Sequence, residues 1–136
     1  MIAHGSTQAV RLMVVRVYSC DAADMPALKK LLEYDPYLDK NLTEEDLKKL
    51  KEDKDANVIF VRQDYVLKDG ISLNLDRNKY YLYLSASQEF MESAEKKLKS
   101  SIGSIARLSQ DEERKVIETI EEERSRAEFG FGSIFG

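Results

Sequence analysis

The sequence predicts an α+β domain: an antiparallel β-sheet with helices packed mainly on one face. A ferredoxin-like β-α-β-β-α-β core with an additional C-terminal helix is the most specific version. Three observations lead there. Short runs rich in β-branched residues are joined by short connections, which makes neighbouring strands antiparallel. Two longer stretches carry apolar residues at helical spacing. The chain has 136 residues, the size of one domain that can bury its own core without a disulfide or metal. The expected organisation is a flexible N-terminus over 1–9, a single domain over 10–128, and an apolar docking tail rich in Phe and Gly over 129–136.

Val10–Tyr18, with apolar residues at both parities, reads as a central strand covered on both sides. Asp24 is placed to cap the next helix, with Pro26 in its first turn and Met25, Leu28, Leu31 and Leu32 at helical spacing. Asp35-Pro36 ends that helix. Thr43, followed by Glu44, Glu45 and Asp46, starts a short polar helix. Asn57–Gln63, centred on Val-Ile-Phe-Val, reads as a second strand. Asp69-Gly70 signals a two-residue hairpin between Tyr65–Lys68 and Ile71–Leu75. Tyr80–Leu84 forms the next strand. Ser85 or Ser87 then caps a helix with Phe90, Ala94, Leu98 and Ile102 on one face. Ser104–Leu108 fits an edge strand or a helical linker equally. Ser109-Gln-Asp-Glu112 is a capping box for a last helix ending near Glu128.

Composition narrows the function classes. The net charge of −4 argues against nucleic acid or an anionic membrane as the main partner, and no apolar run approaches the length of a membrane span. The single cysteine, Cys20, excludes an intrachain disulfide and suits a reducing compartment, so the expected location is the cytoplasm. One Cys and one His cannot supply a zinc site. Asp39, Asn41 and Thr43 begin like a calcium loop, but Leu50 stands where the bidentate glutamate belongs. No phosphate-binding glycine loop is present. No metal or cofactor is therefore expected, and no catalytic residue is assigned.

Four residues are candidates for binding a small anion. Arg16 interrupts the first strand, and Arg62 shares the parity of Val58 and Phe60 in the second. If both face away from the main helices they join Tyr81 and Tyr83. The plainer account pairs each arginine with one of the many acids. Tyr80, Tyr81 and Tyr83 also offer stacking surfaces like those of RNA-binding sheets, but the flanking residues lack that module's signature. Cys20 lies beside Asp21 and Asp24, whose charge disfavours a thiolate.

The leading expectation is a non-enzymatic interaction module that forms a homodimer or binds a protein partner. It rests on the second apolar face of the sheet, which one narrow helix, the tail or another subunit must cover. The tail residues Phe129, Phe131, Ile134 and Phe135 are too apolar for a solvated terminus. A small anionic-ligand domain is the alternative. An enzyme working through Cys20 or scattered carboxylates comes third.

Overall fold

The computed structural model describes residues 12–53 and 57–135, with side chains described through Glu128. Strand β1 runs Met13–Asp21 and ends three residues later than the apolar run suggested; Val10 and Arg11 lie outside the described residues, as does the expected N-terminal segment 1–9. Its ladder with β3 (Lys79–Ser87) continues from Met13↔Ser87 to Asp21↔Lys79, which keeps Ser19, Cys20 and Asp21 in the sheet. Helix α1, Met25–Glu33, follows a 3₁₀ turn at Ala22–Asp24. Asp24 does not cap it. The 3₁₀ turn leads directly into the helix, so Asp24 has helical rather than extended backbone, and its carboxylate accepts from the N–H and hydroxyl of Ser104 instead.

Helix α2, Glu44–Glu52, starts as expected on a reciprocal box. The Thr43 hydroxyl accepts from Asp46 N–H at 3.1 Å, and the Asp46 carboxylate accepts from Thr43 N–H at 3.0 Å. None of its residues is buried.

The expected strand at Asn57–Gln63 does not form. Residues 57–59 form no regular element, Ile59 is extended, and the chain then makes a 3₁₀ turn at Phe60–Arg62. The turn drives Phe60 fully into the core, edge-on to Phe90 at 6.0 Å, while Val61 points outward. Strand β2 begins only at Asp64 and ends at Asp69. Ile71–Leu75 is not a strand either. Residues 70–75 fold into successive turns, closed by Leu75 N–H to Gly70 C=O at 2.8 Å, with Asn74 at φ 59°. Leu73 and Leu75 pack beneath the last helix rather than extending a ladder. Gly70 is needed for close approach: a Cβ there would sit 1.7 Å from the Asp76 carbonyl oxygen.

Helix α3, Gln88–Ser101, is capped by the Ser87 hydroxyl, which accepts from Phe90 N–H at 3.2 Å. Of the two readings of 104–108, the strand is right: β4 is Ala106–Arg107, antiparallel to β1. Helix α4, Gln110–Phe135, does not stop near Glu128 but continues through the backbone of the tail.

The sheet order is β2-β3-β1-β4 with every pair antiparallel. With α1 and α3 as the connecting helices, this is the strand order of a β-α-β-β-α-β core, extended by α2 and α4. Two cores flank the sheet. Tyr18, Cys20, Leu82, Leu84 and Ala86 face Leu28 and Leu32 of α1, Phe60, and Met91, Ala94 and Leu98 of α3. Val17, Tyr81 and Tyr83 on the other face meet Val116 and Ile120 of α4. Within the described residues, the narrow last helix covers the second face.

Candidate functional site

The four candidate ligand residues do not converge. Arg16 has the parity of Tyr18 and points to the α1/α3 side, where it pairs with Glu95 at 3.3 Å. Tyr81 and Tyr83 lie under α4 on the opposite face. Arg62 sits on the 3₁₀ turn, where its Nε and Nη2 donate to Asp35 at 3.2 and 3.1 Å and its guanidinium lies 5.0 Å from the Tyr37 ring centre. Each arginine thus has its own acid, and Arg16 is separated from the tyrosines by the sheet itself.

Cys20 is buried against the first core, and burial, then Asp24 and Asp21, push its thiol up to about 11. It is protonated at neutral pH and is a poor nucleophile there. Glu95 is a structural hub. Burial pushes its carboxyl up, but the Tyr18 hydroxyl donating at 2.8 Å, with Lys99, Arg16 and Arg107 nearby, outweighs that and holds it below the ordinary range. Among the described residues no group of three or more His, Cys, Asp or Glu could hold a metal, and no helix is long and apolar enough to cross a membrane.

The most distinctive geometry belongs to α4. At its start, the Glu113 carboxylate accepts the buried Val17 N–H at 2.9 Å and a fork from Arg107 at 3.1 and 3.0 Å. Glu113 thereby supplies the acceptor that β4 would have offered had it run one pair further. Leu108 N–H fills the neighbouring Val17 carbonyl at 3.0 Å. Ten residues on, Lys68 of β2 pairs with Glu123, and Arg124 forks onto Asp64 at 3.0 and 2.8 Å while lying 5.3 Å from the Tyr83 ring centre. The span is consistent: three strand spacings are about 14 Å, and ten helical residues rise about 15 Å. Helix α4 therefore crosses the sheet from the β4 side to the β2 edge.

Arg124 is the last residue of α4 described in an ion pair with the sheet. Ser125, Arg126, Ala127 and Glu128 point in all directions around the axis, and all four are exposed. Residues 125–135 extend α4 by about 16 Å beyond the last anchor. The side chains of Phe129, Phe131, Ile134 and Phe135 lie outside the described residues. The edge strand β2 that α4 crosses pairs with no described strand on its outer side.

Comparison with protein-family models, curated proteins and solved structures finds no match to this chain.

Sequence reasoning missed Glu113, Glu95, Lys68 and Arg124. A signal existed for Glu113 and Arg124. Glu113, Val116, Ile120 and Arg124 recur at i, i+3, i+7 and i+11, so both charged residues stand on the apolar stripe of their helix.

Proposed function

We propose that this protein is a cytoplasmic, non-enzymatic interaction module that holds a protein partner, or a second copy of itself, through the far end of α4. The observation that carries this reading is the overhang of α4 past the β2 edge. The described residues of the extension, 125–128, are exposed and gain nothing from packing on their own sheet, and isolated helical turns are marginal in water. The overhang also bears Phe129, Phe131, Ile134 and Phe135, a composition that favours burial against another surface. The titratable groups elsewhere fit this reading: Cys20, Glu95, Glu113 and Asp64 are each committed to internal packing or pairing. The net charge of −4 favours a protein partner over nucleic acid.

The test compares full-length protein with a chain lacking residues 129–136, by solution mass and by capture of partners from the native host. Truncation should abolish an oligomer or a complex while leaving the melting temperature nearly unchanged, because the removed turns follow the last described anchor on the sheet. If the truncated chain keeps the same solution mass and the same partners, the tail has no docking role and the proposal fails.

A further inference from the structure

A second feature, independent of the α4 end, points to a small-molecule site. Between the end of α1, α2 and the segment before β2 lies a cleft of about 500 Å³, within the size range of ligand pockets. Its apolar walls come from Leu31, Pro36, Leu42, Leu50 and Val58. Two cations reach it from different elements: Lys49 of α2 and Lys97 of α3. Neither ammonium forms an ion pair with a described carboxylate. Asp46, the acid in the lining, accepts from the Thr43 N–H of the capping box; that bond, the Thr43 hydroxyl and, more weakly, the charge of nearby Lys49 hold its carboxyl below the ordinary range.

Apolar walls with two ammonium groups outside any described ion pair match a ligand that carries an alkyl or aryl body and an acid head. Burying the body removes apolar surface from water. Lysine keeps its charge at a wet mouth while its stem lies along the apolar wall, which suits a carboxylate better than a neutral head. Helix α2 forms one wall without burying any residue fully.

We infer that this cleft binds a small amphipathic carboxylate. Decanoate is the probe, used below its micelle concentration, with decanol as the uncharged control and acetate as the head alone. Binding is followed by methyl chemical shifts of Leu31, Leu42, Leu50 and Val58. Decanoate should saturate these shifts, decanol should bind about tenfold more weakly, a 1.4 kcal/mol difference, and acetate should give no saturable shift. Lys49→Gln and Lys97→Gln should each weaken decanoate binding and leave decanol unchanged, with the melting temperature of each variant as the check on folding. The chain lacking residues 129–136 should bind decanoate as well as the full chain, which separates this site from the α4 proposal. Equal affinity for decanoate and decanol, saturable shifts only outside the cleft, or no saturation at all would each overturn the inference.

Discussion

Glu113→Ala tests how α4 is held to the sheet. In the native chain the Glu113 carboxylate is nine-tenths buried and accepts from the N–H of Val17, a residue with no solvent exposure. Removing the acceptor leaves that donor unpaired in a dry site, which costs about 1–3 kcal/mol. The fork from Arg107 contributes less. Arg107 is 43% exposed, so water can take over its donors, and a half-exposed ion pair is worth about 1 kcal/mol or under. The sum is a loss of about 1–4 kcal/mol for Glu113→Ala, against about 1 kcal/mol or less for Arg107→Ala. Glu113→Gln keeps an acceptor for Val17 and should fall between them. Urea unfolding gives the free energies, and amide exchange at Val17 gives the local opening. In Glu113→Ala, exchange at Val17 should speed up more than at Leu82, in the centre of the neighbouring strand. Equal losses for Glu113→Ala and Arg107→Ala, with Val17 still protected, would refute the account, because the ion pair rather than the strand bond would then be what anchors the helix.

Three further outcomes follow from the fold. Phe60→Ala should cost about 3–5 kcal/mol while Val61→Ala costs under about 1 kcal/mol; similar losses would mean the segment does not make the turn described. Gly70→Ala should destabilise by more than about 1 kcal/mol, since its Cβ meets the Asp76 carbonyl, and an unchanged urea midpoint would show that loop 70–78 shifts freely. Stability should fall as pH rises from about 9 toward about 11, because the unfolded Cys20 thiol ionises over that window while the folded one stays neutral. Below the unfolded value the thiol's contribution is fully present, and Cys20→Ala should make this part of the curve shallower; Tyr18, Tyr34 and Tyr83, also raised, account for the slope that remains.

Local signals in the sequence proved dependable where the interaction was itself local. Thr43 with Asp46, and Ser87 with Phe90, are separated by three residues, and both caps are as expected. The errors arise where a distant element decides. Val58-Ile59-Phe60-Val61 looks like a strand because a short apolar run has no distinctive period, and it is Phe90 of α3 that claims Phe60. Asp69-Gly70 resembles a hairpin turn, yet α4 offers Leu73 and Leu75 a place to bury that a ladder would not. The parity of Arg16 was visible, but a strand apolar on both sides does not say which side faces α1 and α3. The expected helix end near Glu128 is passed by the α4 backbone, which continues through Gly130 and Gly132. Of the candidate site, only the apolar composition of the tail was legible; the crossing of α4 over the sheet depends on ion pairs between residues about sixty positions apart.

The position of α4 in the chain also bears on biosynthesis. Every strand, and all of the first core, lies N-terminal to the helix that covers Val17, Tyr81 and Tyr83. At about 5–20 residues per second, making residues 110–120 takes roughly 0.5–2 s. Before α4 docks, the face bearing Tyr81 and Tyr83 lacks the cover of Val116 and Ile120, and other chains or chaperones can reach it. Helix α4, whose outer face is charged, then acts as a late-arriving solubility device. Nascent chains halted before Ile120 should be sticky in a way that the finished protein is not.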